Sequence, residues 1–329
     1  MVQDLLAKMQ SRLENRTYGR NVLSSAVFAH ELPQQPRCQA MKIGVVYPQT
    51  ELRGDPEAAR AIGLAVEALG YDHLLAYDHV LGATHDREPK LIGPYTELHP
   101  FHDPFVMFAY LAGITQRIEL ATGILILPQR QTALVAKQAA DLDLLSHQRL
   151  RLGVGIGWNY VEYDALGQDF GTRGARADEQ IGLLKRLWTE PVVSFEGKFD
   201  HIDRAGILPR PKRSIPIWVG GISEAAFRRS ARLGDGHILM GGVDDARTAW
   251  GRIEHHLRET GRPSEGFGRE LPIGGRKTPA ETAEAIAQWR DAGGTHASII
   301  TMGKDLGTAQ AHIDYIAEVR NHIDRMVSG

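Results

Sequence analysis

The 329-residue sequence has a single cysteine, Cys38, so no disulfide can form within the chain. A reducing compartment suits such a chain, and a cytoplasmic protein is expected. No apolar run approaches the ~18 residues needed to cross a bilayer. The first 40 residues carry Lys8, Arg12, Glu14 and Arg16 and lack the compact apolar stretch and cleavage site of a secretory leader. An excess of one charge is missing too. The net charge is −2 and the basic residues are scattered, which leaves no electrostatic footprint for nucleic acid. Metal-binding patterns are thin. His99-Pro100-Phe101-His102 lies in a proline-broken stretch, His255-His256 lies on a polar helix pattern, and neither brings a third ligand, so no metal is expected.

What is present is an ordinary globular composition, 43% hydrophobic and 24% charged. The length would allow two average domains, but an α/β barrel fills roughly 250 residues as one. Residues 1–40 are polar and irregular and end in Pro33-Gln34-Gln35-Pro36, with a short amphipathic helix possible over 3–14. They are read as a peripheral extension, a partner-binding arm being the alternative. From Met41 onward, short β-rich runs alternate with helical patterns, the signature of parallel βαβ units. The spacing predicts strands over 42–47, 73–77, 117–124, 149–155, 215–219, 235–239, 270–273 and 297–302. Between and after them it predicts helices over 56–69, 132–145, 175–188, 224–233, 245–259, 279–292 and 308–322, and another opening at Asp103-Pro104. Asp55-Pro56 and Asp103-Pro104 each offer an N-cap followed by proline at the first helical position. Residues 191–214 form an excursion bearing proline and lysine. Eight units over 41–329 fit a closed (β/α)8 TIM barrel better than a six-stranded open sheet.

Active sites of such barrels lie at the carboxyl ends of the strands. After the second strand comes Tyr77-Asp78-His79-Val80, and an imidazole there can exchange a proton near neutral pH or donate to a developing oxyanion. After the third come Ala121, Thr122, Gly123, Ile124 and Leu125, where small residues let backbone approach a planar ring, or simply form a bulge that closes the barrel. The glycines of Gly153-Val154-Gly155-Ile156-Gly157-Trp158 have the wrong spacing for a dinucleotide-binding loop. After the fifth strand, Trp218, Val219, Gly220, Gly221, Ile222 and Ser223 lead into a helix, a turn that frees N–H groups for an anion or serves only as a cap. Arg173 and Arg176, near Asp178 and Glu179, read as a solvated or ion-paired helix start, contact with cofactor or substrate being the alternative.

Taken in order, Asp78-His79, Thr122-Gly123-Ile124, Gly153-Val154-Gly155 with Gly157-Trp158, Arg173 through Glu179, Trp218 through Ser223 and Gly234-Asp235-Gly236 resemble one family. It is that of the luciferase-like monooxygenases and their deazaflavin-dependent oxidoreductase relatives, and the resemblance covers most of residues 41–329. It implies that His79 is catalytic and faces the cofactor ring, with Asp78 beside it. It implies a non-proline cis peptide at Gly123-Ile124, next to Thr122, and a loop at Gly157-Trp158 lying against the ring. Val219, Gly220, Gly221, Ile222 and Ser223 would hold the phosphate. The sugar-phosphate dehydrogenases of the family carry a catalytic glutamate where this chain has Trp158, so that activity is not implied.

The pattern Gly157, Trp158, Glu162 resembles the deazaflavin branch, which implies hydride transfer between coenzyme F420 and a small organic substrate. An FMN-dependent monooxygenase using reduced flavin and oxygen is the alternative. A non-catalytic cofactor-binding member is a second alternative, against which His79 and the intact Gly220-Gly221 turn argue. The resemblance also implies a homodimer paired through the helices after the second and third strands, with residues 105–114 partly in the interface. Substrate contacts would come from the loops 81–102 and 191–214, and Tyr95, Phe101 and Trp158 hint at an apolar pocket.

Overall fold

Residues 41–328 are described by a computed structural model, and the possible helix at 3–14 lies outside them. The strands and helices alternate as β1 (Lys42–Val46), α1 (Pro56–Ala68), β2 (His73–Ala76), α2 (Pro104–Ala112), β3 (Glu119–Thr122), β4 (Leu125–Ile126), α3 (Thr132–Leu145) and β5 (Leu150–Gly155). They continue as α4 (Tyr160–Ala165), α5 (Arg173–Thr189), β6 (Val193–Glu196), β7 (His201–Ala205), β8 (Ile217–Gly220), α6 (Glu224–Leu233), β9 (Gly236–Ile238) and α7 (Val243–Glu259). The last elements are β10 (Gly268–Ile273), α8 (Pro279–Asp291), β11 (His296–Ile300) and α9 (Ala309–Ser328). Parallel pairing runs β1-β2-β3-β5-β8-β9-β10-β11 and returns to β1, so the sheet closes on itself with eight strands. This is the (β/α)8 barrel the sequence predicts.

Helix starts follow the local chemistry. The Asp55 side chain accepts from Glu57 N–H, and Asp103 accepts from the N–H groups of Phe105 and Val106, with proline next in each case. Thr278 and Glu281 form a reciprocal capping box at α8.

The alternation of each strand sorts its side chains between two cores. Val45, Leu74, Leu120, Leu152, Ile217, Val219, Leu271, Ala297 and Ile299 belong to the large cluster shared with helix residues such as Ile62, Phe108, Val135, Ile181, Phe227 and Ile286. Val46, Leu75, Ala121, Trp218 and Ile238 form a second, smaller cluster joined by Tyr77, Ile124, Ile300 and Met302. Their alternation with the first set puts them inside the ring.

Below that inner cluster, toward the amino ends of the strands, the interior is charged. Glu270 accepts from His73 Nε2 at 2.7 Å and also pairs with Arg151 and Ser298, while Arg151 pairs with Glu119. The Arg151 guanidinium lies 4.2 Å from the centroid of the Trp218 ring, and His296 meets the same ring edge-on at 4.7 Å. Burial disfavours ionised Glu270, but Arg151 and His73 outweigh it and hold the carboxyl well below its ordinary range. Burial and the neighbouring Arg151 push His296 down to about 3. Two strand glycines make room for these large side chains. A Cβ at Gly44 would stand 2.3 Å from the His73 ring, and one at Gly268 would stand 1.9 Å from Trp218.

Two readings change. The third strand ends at Thr122 rather than Ile124, and β4 continues beside β5 after the break. The excursion 191–214 contains an antiparallel hairpin, β6-β7, whose turn is held by Glu179 accepting from the N–H groups of Lys198, Phe199 and Asp200. The helix start around Asp178 is ion-paired, one of the two forms expected, through its bond with Arg229.

Candidate functional site

The mouth of the barrel is built around the tip of β2. His79 Nδ1 lies 3.3 and 3.2 Å from the two carboxylate oxygens of Glu162. Glu162 comes from α4, which Asn159 caps by accepting from Val161 N–H while its amide donates to Leu81 O. The Glu162 side chain is fully buried. Its Oε1 accepts from the N–H groups of Val80 and Leu81 at 2.8 and 3.0 Å, and its Oε2 accepts from Gln129 Nε2 at 3.3 Å. Burial works against the charge, but the hydrogen bond and electrostatic attraction of His79, with the hydrogen bonds from Leu81 and Gln129, outweigh it and lower the Glu162 pKa.

Nε2 of His79 has no hydrogen-bond partner among the described residues, and the side chain is 8% exposed. Three aromatic rings meet it edge-on: Phe101 at 4.9 Å, Tyr95 at 5.3 Å and Trp158 at 5.5 Å between centroids. The Gly93 backbone packs against the other part of the Trp158 ring, so the 81–102 loop closes over it. An imidazole with one nitrogen tied to a carboxylate and the other open in an apolar surround can accept or donate a proton sheltered from water.

The other expected positions divide by where their side chains go. The Asp78 oxygens are committed to the wall, one to Arg130 at 2.8 Å and one to Ile126 N–H at 2.9 Å. Burial raises this carboxyl, opposed by Arg130 and the Ile126 N–H. Thr122 Oγ1 donates to Gly153 O at 2.6 Å and is buried, and Val219 faces the helices. These three could meet a ligand through backbone only. The Gly123–Ile124 peptide is cis, as the resemblance implies. Ile124 packs into the inner cluster, and Gly157 turns the chain at φ +62° just before Trp158.

The Gly220-Gly221-Ile222-Ser223 turn leaves β8 on the same rim. Gly221 takes φ +140°, which side-chain-bearing residues rarely adopt. The N–H groups of Gly221, Ile222 and Ser223 have no partner among the described residues, and Ser223 Oγ caps α6 by accepting from Ala226 N–H. The turn is steadied from beneath by His237 of β9, whose Nε2 donates to Gly221 O at 2.9 Å. Burial pushes His237 down to about 4, so it stays neutral at pH 7.

Sequence reasoning named Glu162 only as part of a pattern and passed over Gln129 and His237. The Glu162 partnership has a faint signal, a carboxylate four residues after Trp158 on a capped helix. His237 has none, because a polar residue on a short strand looks the same whether or not it supports a turn.

Comparison with known proteins agrees with this architecture. The luciferase-like monooxygenase family matches residues 41–318. An uncharacterised protein of Mycobacterium tuberculosis is 35% identical over 206 residues, 61% of this chain and 71% of its own length. The pyrimidine monooxygenase RutA of Variovorax paradoxus is 28% identical over 283 residues, 82% of this chain and 72% of its own. Monooxygenase RslO1 from Streptomyces bottropensis superposes with a TM-score of 0.71 at 19% identity, covering 87% of this chain and 100% of that one. An F420-dependent secondary alcohol dehydrogenase gives 0.72 at 17% identity, over 86% and 99%. At such identities the two structures speak to the fold alone. The family match, however, takes in every strand of the closed ring together with the His79 tip and the Gly220-Gly221 turn. The chain belongs to the luciferase-like monooxygenase family of oxidoreductases.

Proposed function

We propose that this enzyme uses coenzyme F420 to move a hydride to or from a small, uncharged organic substrate, with His79 as the proton-exchanging residue. The observation that carries the reading is the open Nε2 of His79, ringed by Phe101, Tyr95 and Trp158. The residues at the mouth fit a planar ring with an anionic tail. The free N–H groups of Gly221, Ile222 and Ser223, at the start of ten-residue α6, suit a phosphate. The backbone around Gly123, Ile124 and Gly157, together with Trp158, offers a surface for the ring. Bound there, the deazaflavin would supply a two-electron hydride carrier. His79 Nε2 would give or take the accompanying proton, and the three aromatic side chains would exclude water from it.

A second reading, an FMN-dependent monooxygenase, is favoured by the 28% identity to pyrimidine monooxygenase RutA over 82% of this chain. Titrating the purified protein with each cofactor separates the two. We expect F420 to bind at least about tenfold more tightly, about 1.4 kcal/mol. Tighter FMN binding with oxygen consumption would replace the first reading by the second. In either case His79→Ala is expected to lower turnover more than cofactor affinity.

Two further features belong to this proposal. Val106 and Tyr110 are exposed four residues apart on α2, and Leu134 is exposed on α3, which supports pairing of two copies through these helices. A cytoplasmic location is proposed from the single cysteine. Among the described residues no helix is long and apolar enough to cross a membrane.

A further inference from the structure

We propose that Glu162 is a positioning residue that fixes the tautomer of His79, holding its proton on Nδ1 and leaving Nε2 as the working nitrogen. The inference rests on the reading of His79 as the proton-exchanging group and adds how that group is set.

Glu162 has two jobs. Its Oε1 takes the N–H groups of Val80 and Leu81, at 2.8 and 3.0 Å, which fastens the tip of β2 to α4. An amide oxygen could do that equally well. The second oxygen, Oε2, accepts from Gln129 Nε2 at 3.3 Å and is the nearer to His79 Nδ1, at 3.2 Å against 3.3 Å for Oε1. An ionised carboxylate is an acceptor only, and both of its oxygens here lie on a fully buried side chain. His79 Nδ1 must therefore be the donor, and in the neutral ring the lone pair falls on Nε2. The other donors to Glu162 cannot take over this role. They are two backbone N–H groups and a carboxamide, none of which titrates, and among the described residues no Lys or Arg pairs with it. With no Lys or Arg beside it among the described residues, the buried carboxylate is sustained by these four hydrogen bonds and by the attraction of His79 when that ring is protonated, and removal of the hydrogen bonds would leave its charge costly. The hydrogen bonds, together with the electrostatic attraction of His79, lower the Glu162 pKa despite its burial.

The direction of the effect follows from Glu162→Gln. Its carbamoyl oxygen must take the Oε1 position to satisfy Val80 and Leu81, which puts the NH2 group at the Oε2 position, the nearer of the two to His79 Nδ1. Nδ1 then becomes the acceptor and the ring proton moves to Nε2.

The test is two-bond 1H–15N correlation of the full-length protein labelled with 15N-histidine, without cofactor, at about pH 9 where an imidazole is neutral. His79 is assigned by the signal lost in His79→Gln. The expected spectrum shows a protonated Nδ1 and an unprotonated Nε2 in the native protein and in Glu162→Asp, with the pattern inverted in Glu162→Gln. Turnover of Glu162→Gln should fall by at least about tenfold while cofactor affinity stays within about twofold. A native spectrum with the proton on Nε2 overturns the proposal even if Glu162→Gln does not fold, and so does an unchanged tautomer in a folded Glu162→Gln. Failure of both cofactors to bind would count against the proposed function and leave the tautomer result standing.

Discussion

Replacing Arg151 by methionine probes the charged base of the barrel. The arginine side chain is 2% exposed, pairs with Glu119 and Glu270, and stacks at 4.2 Å from the Trp218 centroid. Methionine keeps most of the length and removes the charge, so the variant reports the ion pairs more than a cavity. Glu270 would retain His73 and Ser298 on one oxygen and nothing on the other. Breaking one side of a buried pair costs about 3–5 kcal/mol, a large part of the total stability of about 5–15 kcal/mol. The sign of the pH effect follows from Glu270. Its folded pKa lies well below the ordinary value, because Arg151 and His73 outweigh the burial that opposes ionisation. A depressed carboxyl contributes stability that is present above its unfolded pKa, about 4.3, and is lost as pH falls through the folded one. Without Arg151, burial dominates and the folded pKa of Glu270 rises above that of the unfolded chain. The deficit is then greatest near neutral pH and shrinks as Glu270 takes up its proton. Urea unfolding of native and variant protein at pH 7 and pH 5 reads this directly. Arg151→Met should lose more at pH 7, and adding Glu270→Gln should recover part of the loss. A deficit under about 1 kcal/mol, or one equal at both pH values, would refute the reasoning.

Three other outcomes are expected. Gly221 holds φ +140°, and a Cβ there would come 2.9 Å from that of Ala226, so Gly221→Ala should lower stability by about 1–2 kcal/mol. Gly221→Asp adds a carboxylate at the free N–H groups. Relative to the alanine variant it should weaken binding of the phosphate-bearing cofactor at least about tenfold in titration, and equal affinities would remove the phosphate from this turn. Val106 is 70% exposed on α2, so Val106→Glu should change stability by less than about 0.5 kcal/mol while halving the mass seen by light scattering. A native protein that is already a monomer at micromolar concentration would dispose of the pairing surface.

The outer half of this barrel was legible because its physics is periodic. Outward residues such as Val45, Leu74, Leu120 and Leu152 repeat every second position, and the helices begin at Asp-Pro and Thr-Pro caps. The inner half resisted for the same reason. Gly268, Glu270 and Pro272 alternate along β10 with Arg269, Leu271 and Ile273, which gives a weak strand pattern although β10 is six residues long. Glu270 is comfortable there only because Arg151 and His73 reach it from strands more than a hundred residues away in sequence. At the mouth, residues near a strand tip could be named from position, so His79 and the Gly220-Gly221 turn were visible. Asp78 shows the limit of that rule. Its neighbour opens to the mouth, while its own side chain is consumed by Arg130 and Ile126 N–H.

The two ends of the interior are separated by an apolar level, and this divides their roles. Val46, Leu75, Ala121, Trp218 and Ile238 fill the ring between the charged base and the mouth. Along β2 the chain passes from His73 in the base, through buried Leu75, to His79 at the tip. Charges at the base are paired with one another, and the residues around His79 draw their partners from Glu162, Gln129 and the loop after β2. The base and mouth hydrogen-bond networks share no member among the described residues. Free-energy changes at sites without shared partners add independently. Arg151→Met should therefore cost stability and leave cofactor affinity alone, the division expected of a barrel that keeps its stability at one face and its chemistry at the other.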